Sequence, residues 1–440
     1  DHRDLHYPLR RQRQMCIRDR IRNIKGTKDL LPSESRLWLE TESIIHNFMT
    51  LHGYSLIRTP IFEKTELFSR SIGQETDIVN KEMYTWEDID GTSLTLRPEL
   101  TASVVRSFIQ NHLGNLSPLN RLYYIDSSFR RERPQKGRQR QFTQFGIEAL
   151  GSPNPEQDVE IILIASRIYE MLGIEDLEIH INSIGSTSSR TQYSKSLVEY
   201  LERYENDLSD ISQKRLRTNP LRILDSKSDK DIKILTEAPL ISNFLNKHDR
   251  KNFDDILKLL DDLGISTIKN PKLVRGLDYY NGMTFEILSN NIGAQSALCG
   301  GGRYDKLVEY LGGKSTPAVG FAAGLERLIL LLKENKNTNP LNQADIYIIA
   351  LDESANAYSF SIADKLRNKL GIKVICETLR RSMKAQLREA NKNNAKFTIL
   401  IGDDEIESNQ VIIKNMEDGT QTNALIDDIE NYFGVDYEYK

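Results

Sequence analysis

Cysteine is scarce in this chain. Cys16, Cys299 and Cys376 are all there is, too widely spaced for C-x-x-C chemistry and too few for a disulfide framework. Of the seven histidines only His2 and His6 stand four apart, within the Arg-rich start that has no helical periodicity, so no zinc site is expected. Long hydrophobic runs are missing as well. The longest are broken by Arg, Glu or Lys before they reach the ~18 residues of a membrane helix, and a cytoplasmic location with no membrane partner is the expectation. Two nucleotide signatures are absent: no G-x-x-x-x-G-K-S/T occurs anywhere, and no G-x-G-x-x-G follows the first strand pattern of the C-terminal part. Nor does one sign of charge dominate, since 440 residues carry a formal net charge of −4. A global basic field for nucleic acid is thereby excluded, and any cluster of cations is a local feature.

Such a cluster lies in "FRRERPQKGRQRQFTQFGIE", where Arg130, Arg131, Arg133, Lys136, Arg138 and Arg140 surround Glu132. Side chains alternate along a strand, so Phe142, Gln144, Gly146 and Glu148 share one face of "FTQFGIE" while Thr143, Phe145 and Ile147 share the other, which is core. In the preceding strand Tyr123, Ile125 and Phe129 point one way, and Ser128, Arg130 and Glu132 the other. Two polar faces align, joined by "RPQKGRQRQ", with Pro134 and Gly137 as turn formers. A solvated hairpin with cross-strand Arg–Glu pairs accounts for these residues. So does a nucleoside triphosphate lying on the sheet, because guanidinium forks match phosphate oxygens and an aromatic face stacks a base.

The length suits about three domains. Residues 1–20 are Arg-rich without an apolar run or periodicity and look like an extraneous or disordered extension, a basic arm for nucleic acid being the alternative. Residues 21–185 mix a long amphipathic helix, Ser33 to His52, with short alternating strands, an α+β pattern. Residues 186–264 turn polar and helix-favouring, as an insertion does, and strand signals return over 265–332 with a hairpin turn at Asn290, Asn291 and Gly293. A linker at 333–343 leads to a small, mostly parallel α/β unit over 344–440.

Three further stretches carry chemistry. In "GFAAGLERLILLL" a strand runs through Gly320 and Gly324 into a helix with Arg327 in its first turn, where a cation opposes the helix dipole but suits a bound polyanion. An ion pair with Glu326 is the plainer alternative. "TLRPELTASVVRSF" puts Pro98 at a helix N1 position with Glu99 and Thr101 in the first turn, either as dipole partners or as receivers of an ammonium group. "LVRGLDYYNGMTFEI" sets Arg275 and Asp278 before a strand, and "CGGGRYDKL" frees the backbone at Gly300, Gly301 and Gly302.

Taken in order, "IKGTKDLLP", "TLRPELTA", the cationic hairpin, "LVRGLDYYNGMTFEI", "CGGGRYDKLV" and "AVGFAAGLERL" resemble the histidyl-tRNA synthetase family of class II aminoacyl-tRNA synthetases, from Ile21 to the C-terminus. The resemblance implies an antiparallel catalytic sheet flanked by helices, a helical insertion that leans on the tRNA acceptor arm, and a C-terminal anticodon-binding α/β domain. It implies that histidine and ATP, with Mg²⁺, form histidyl-adenylate, whose histidyl group passes to histidine tRNA. Arg130 would hold the α-phosphate, Glu132 the adenine amino edge, Phe142 the adenine face, and Arg138 with Arg327 the outer phosphates. Glu99 and Thr101, beside Leu100, would receive the α-ammonium, Gln144 and Arg275 the carboxylate region, and Glu148, Tyr279, Tyr280 and Tyr304 the imidazole. Arg130 and Arg275 would be the catalytic cations on opposite sides of the reacting phosphate, and no resident metal ligands are implied. A homodimer is implied too, with the apolar helix from Leu37 to Phe48 a candidate for the interface, although an ordinary core face explains it as well. Leu100 departs from a frequent glycine and Gly282 from a frequent larger residue. Rival readings are a regulatory paralogue that binds histidine without charging tRNA, an RNA-sensing module of a larger kinase, and another class II synthetase. The retained arginines and full C-terminal domain disfavour the first, the lack of a kinase domain the second, and "RGLDYY" the third.

Overall fold

A computed structural model describes residues 21–74, 76–289, 297–335 and 344–436. The extension at 1–20 and the turn expected at Asn290, Asn291 and Gly293 lie outside these residues. The chain divides into two compact units after residue 336.

In chain order the first unit contains the strands β1 (Ser55–Leu56), β2 (Phe62–Lys64), β3 (Tyr84–Glu87), β4 (Ser93–Leu96), β5 (Asn120–Phe129), β6 (Gln141–Leu150), β7 (Leu177–Ser183), β8 (Ile268–Lys269), β9 (Met283–Ser289), β10 (Ala297–Arg303) and β11 (Ala318–Gly324). Eight of them form one sheet in the order β1-β5-β6-β11-β10-β9-β7-β8, and β2-β4-β3 form a small second sheet. Pairing is antiparallel from β5 through to β7, with β1 and β8 added in parallel at the two edges. This is the antiparallel sheet that the motifs imply. Strands β9 and β10 resume it after the helical segment 186–264 has left and returned.

The parity expected for the hairpin holds. Phe145 and Ile147 face a core shared with Phe285, Val319 and Phe321 and with the helices Pro32–Leu51, Pro155–Met171 and Lys247–Asp262. Helix Pro155–Met171 is started by Pro155 at its first turn together with Glu156 and Asp158, as the dipole prefers. The opposite sheet face carries Leu122 and Tyr124 into a second apolar cluster with Tyr193, Leu197, Leu201, Tyr279, Tyr280 and Tyr304. The helical insertion is therefore no appendage. Helix Thr187–Leu201 packs on the second cluster, and Ile256 and Leu260 of helix Lys247–Asp262 belong to the first.

Two expectations are corrected. The helix after Pro98 begins only at Thr101 and runs to Gln110. The Arg97 carbonyl accepts from the Phe129 N–H at 2.9 Å and the Pro98 carbonyl from Arg130 Nε at 2.9 Å, which keeps this segment extended beside β5. The apolar face between Leu37 and Phe48, a candidate for an interface, packs on the chain's own core, where Ile45, Phe48 and Met49 are buried and Leu37, Trp38 and Ile44 pack against them. In the second unit β12 (Ile346–Ala350), β13 (Val374–Cys376), β14 (Phe397–Ile401), β15 (Gln410–Asn415) and β16 (Gln421–Leu425) follow the order β13-β12-β14-β15-β16. Parallel pairing covers β13-β12-β14 only, and β15 and β16 are antiparallel. Strand β16, "QTNAL", is mostly exposed, and without alternating apolar residues it left no strand signal.

Candidate active site

On the second sheet face, a cleft of about 210 Å³ is floored by Phe142 and Gln144 of β6, Ala322 and Gly324 of β11, and Leu298, Cys299 and Gly300 of β10. Its walls bring together Glu99, Thr101, Arg130, Glu132, Arg138, Arg275, Tyr279, Tyr280 and Arg327. Guanidinium groups from three distant segments thus converge on one floor. Their convergence is built locally. The hairpin connection ends in a tight turn at Lys136 and Gly137, closed by reciprocal backbone bonds between Gln135 and Arg138 at 3.0 and 2.9 Å, with Gly137 at φ +71°. That turn sets Arg138 within 2.8 Å of Glu132 Oε2. Arg130, held by the Pro98 carbonyl, stands 3.8 Å from Glu132 Oε1 and 5.3 Å from the centroid of the Phe142 ring. Arg327 Nη1 reaches the Ala297 carbonyl. Burial, reinforced by the like charges of Arg138 and Arg130, pushes the Arg327 pKa down. Three cations crowded into a half-buried cleft repel one another, and a polyanion relieves the repulsion.

Arg275 sits on the other flank, paired with Glu286 of β9 and 6.0 Å from the Tyr280 ring centroid. Burial opposes its charge, but Glu286, Tyr280 and Tyr279 outweigh burial and hold it protonated. A Cβ at Gly300 would collide with the Arg275 guanidinium, so this glycine is what lets the cation lie flat on β10. Between Arg130 at the end of β5 and Arg275 over β10 and β9 lie β6 and β11, which places the two cations on opposite sides of the cleft.

A buried carboxyl lies behind this lining. Glu148 is 1% exposed and its carboxyl accepts from Thr101 Oγ1 at 2.6 Å, Tyr124 Oη at 3.1 Å and Tyr304 Oη. Burial pushes it up to about 8, against the hydroxyls of Thr101 and Tyr304. Gly320 leaves the space for this carboxyl, since a Cβ there would strike Glu148 Oε2. Glu99 is buried before the Thr101 helix and accepts from the N–H groups of Thr101 at 2.7 Å and Ala102 at 2.9 Å. Burial raises its pKa too, opposed by those amides and by Arg130. Each Glu99 oxygen keeps acceptor capacity toward the cleft. Gln144 Oε1 accepts from Ser128 Oγ at 3.1 Å, and Tyr279 and Tyr280 stand ring to ring at 4.7 Å.

Most of the residues singled out in the sequence meet here. Leu100 does not line the cleft: it is buried among Val104, Tyr279 and Tyr304 in the second apolar cluster. Glu148 and Tyr304 lie one layer behind the lining. Sequence reasoning missed Tyr124 and the pairing of Glu286 with Arg275, and gave Glu326 only as an ion partner for Arg327. Tyr124 was findable by extending the β5 parity to the face of Ser128 and Arg130. Glu326 does not pair with Arg327; its Oε1 accepts from the Thr143 N–H at 2.7 Å, and burial raises it to about 7. Arg97, fully buried, supports the Glu99 segment through Asp126 at 2.5 Å and the Thr59 and Ser127 carbonyls, each at 2.7 Å. Beyond the loop that carries Tyr279 and Tyr280 lies a larger cavity of about 690 Å³, bounded by helix Thr187–Leu201, Asn219, Lys306 and Tyr310. The loop is therefore a partition between two hollows.

Comparison with known proteins follows the same line. A family model described as Histidyl-tRNA synthetase matches residues 26–328, and one described as Anticodon binding domain matches residues 345–434. The Histidine--tRNA ligase of Caldanaerobacter subterraneus subsp. tengcongensis is 45% identical over 407 residues, covering 92% of this chain and 97% of the relative. That of Staphylococcus saprophyticus subsp. saprophyticus is 44% identical over 415 residues, with coverages of 93% and 98%. Among solved structures, apo S. aureus histidyl-tRNA synthetase superposes with a TM-score of 0.79 at 38% identity, over 94% of this chain and all of that one. An ATP phosphoribosyltransferase regulatory subunit/histidyl-tRNA synthetase from Bacillus halodurans C shares the fold, with a TM-score of 0.64 at 21% identity over 87% of this chain.

Proposed function

The chain belongs to the histidyl-tRNA synthetase family, and on that premise we propose that the arginine-lined cleft is where histidine and ATP react. The enzyme is a histidine–tRNA ligase: it charges tRNA with L-histidine at the expense of ATP, by way of histidyl-adenylate as the family does. What carries the assignment of the cleft is the crowding of Arg130, Arg138 and Arg327 beside Phe142, with Arg275 across the floor.

In this reading Phe142 stacks the adenine, Glu132 accepts from its amino edge, Arg130 holds the α-phosphate, and Arg138 with Arg327 hold the outer phosphates. Histidine lies over β6, its ammonium on Glu99 and Thr101, its carboxylate toward Gln144 and Arg275, and its imidazole toward Glu148, with Tyr280 beside it and Tyr304 fixing the Glu148 carboxyl. The histidine carboxylate attacks the α-phosphorus, forming the C–O–P link as the bond to pyrophosphate breaks. The nucleophile is already ionised, so no general base is needed. Negative charge grows on the α-phosphate oxygens, and Arg130 and Arg275 fixed on either side favour the transition state over the ground state.

Magnesium enters with the nucleotide. Mg²⁺ takes phosphate oxygens plus one or two carboxylates, and Glu326 on the cleft wall, next to Arg327, is suited to that part; among the described residues no group of three or more His, Cys, Asp or Glu is placed to hold a metal. A homodimer is supported by the exposed Ile61, Phe62 and Trp86 on and beside the small sheet. A cytoplasmic setting is supported by the substrates. Among the described residues no helix is long and apolar enough to cross a membrane.

Histidine-dependent exchange of labelled pyrophosphate into ATP tests the reading. Exchange is expected with histidine and with no other amino acid; its absence, or a response to a different amino acid, overturns it. Gly300→Ala is expected to slow this exchange by about 100-fold, because a displaced Arg275 loses its alignment with the reacting phosphorus. A wild-type rate in that variant would remove Arg275 from the chemistry.

A further inference from the structure

The loop from Arg275 to Asn281 carries the residues that meet histidine, and its rings and its backbone are held by different parts of the chain: Tyr279 and Tyr280 pack into the second apolar cluster. One side faces the cleft through Arg275, Leu277, Tyr279 and Tyr280, and the other faces the large cavity through Asp278, Tyr279, Tyr280 and Asn281. Backbone donors tie it to the catalytic unit at Asp278, whose N–H reaches the Ile72 carbonyl at 3.1 Å, and at Asn281, whose N–H reaches the Arg303 carbonyl at 2.8 Å. Its acceptors go elsewhere. Arg190 Nη1 donates to the Asp278 and Tyr280 carbonyls, each at 3.2 Å, and Arg222 Nη2 donates to the Gly276 carbonyl. Asn219 Nδ2 donates to Asp278 Oδ1 at 3.0 Å, with Arg222 Nε 3.9 Å from the same oxygen. Arg190, Asn219 and Arg222 all belong to the helical insertion.

We propose that Arg190, Asn219 and Arg222 form a latch by which the insertion sets the position of Arg275 and Tyr280, making Arg222 and Asn219 positioning residues for histidine. The proposal deepens the reading above and rests on it. The side chains of Leu277, Tyr279 and Tyr280 pack into apolar clusters, but the backbone carbonyls at 276, 278 and 280 accept from these insertion side chains, so the latch fixes the direction of the loop's peptide groups. The latch is itself anchored: Arg215 Nη1 donates to the Arg222 carbonyl at 3.1 Å, and Arg215 lies 3.4 Å from Asp77. Gly73, at φ +101°, leaves room for the Asp278 carboxylate, which a Cβ there would strike. None of the three latch residues lines the cleft, so their effect on chemistry passes through the loop. A displacement of the insertion, such as a bound macromolecule produces, pulls on the carbonyls next to Arg275 and Tyr280.

The test is steady-state pyrophosphate exchange by the full chain and by Arg222→Ala, Arg222→Lys and Asn219→Ala, titrated separately with histidine and with ATP. Loss of a hydrogen bond to a charged donor is worth about tenfold, so the histidine KM is expected to rise about tenfold in Arg222→Ala and severalfold in Asn219→Ala. The ATP KM should stay within about twofold, and Arg222→Lys should recover part of the loss because it keeps a donor. Wild-type exchange that does not depend on histidine is a failure of the proposed function. With wild-type exchange intact, an unchanged histidine KM in both alanine variants overturns the latch, and so does an equal rise in both KM values, which is what a general packing defect gives. If Arg222→Ala does not fold, Asn219→Ala decides by the same criterion.

Discussion

Arg275→Ala is expected to slow formation of histidyl-adenylate by about 100- to 1,000-fold, the usual cost of removing one fixed donor from a site where charge develops. The expectation follows from its setting. Arg275 is half-buried, paired with Glu286 and seated on Gly300, so it needs no reorganisation when the phosphate charge grows. Histidine binding in the ground state should change little, because Glu99, Gln144 and Glu148 remain. A single-turnover measurement with enzyme in excess over ATP separates the two, and an unaltered rate of adenylation sinks the role. Arg275→Lys is expected to recover little, since a point charge does not reproduce the planar fork between Glu286 and Tyr280.

Glu148→Gln is the second large effect, and it moves stability and binding in opposite directions. Burial raises the folded-state pKa of Glu148 from an ordinary 4.5 to about 8. A carboxyl shifted in this sense contributes stability that is fully present below about pH 4.5 and is lost as pH rises through about 8. Near pH 8 the native state therefore bears the cost of a buried charge that the unfolded chain does not bear. Glutamine removes that cost: its carbonyl oxygen keeps accepting from the hydroxyls of Thr101 and Tyr124, and its NH2 donates to Tyr304 Oη. The melting temperature of the variant should exceed wild type by a few degrees at about pH 8, and the gain should vanish near about pH 5. Histidine affinity should fall about 10- to 100-fold, the value of a hydrogen bond from the imidazole N–H to a carboxylate. Because that bond favours the ionised form, wild-type affinity should strengthen as pH rises from about 7 toward 8, and the variant should lack this slope. Calorimetric titration at several pH values decides: equal affinities in the two proteins would take Glu148 out of the histidine niche.

The two predictions use different amounts of sequence information. The ligand face of the hairpin was legible, because strand parity is a strictly local rule and Phe142, Gln144 and Glu148 obey it. Arg327 at the start of its helix was legible from the apolar period that follows. Glu148's environment was not: its partners Thr101, Tyr124 and Tyr304 come from 47, 24 and 156 residues away, and no local pattern records such a meeting. The start of the Thr101 helix was misplaced because propensity knows nothing of the Arg97 and Pro98 carbonyls, which bond to the hairpin. Likewise the face from Leu37 to Phe48 is apolar whether it meets a partner or its own core, and only the three-dimensional packing chooses. The latch was invisible since it uses backbone carbonyls, which every residue has.

The bare backbone under the ligands has a consequence for escape from inhibitors. Gly300 and Gly320 yield their volume to Arg275 and Glu148, so a mutation that fills either position to expel a bound inhibitor also expels a group that the substrate needs. A compound that spans both positions would meet a surface with little freedom to evolve away from it.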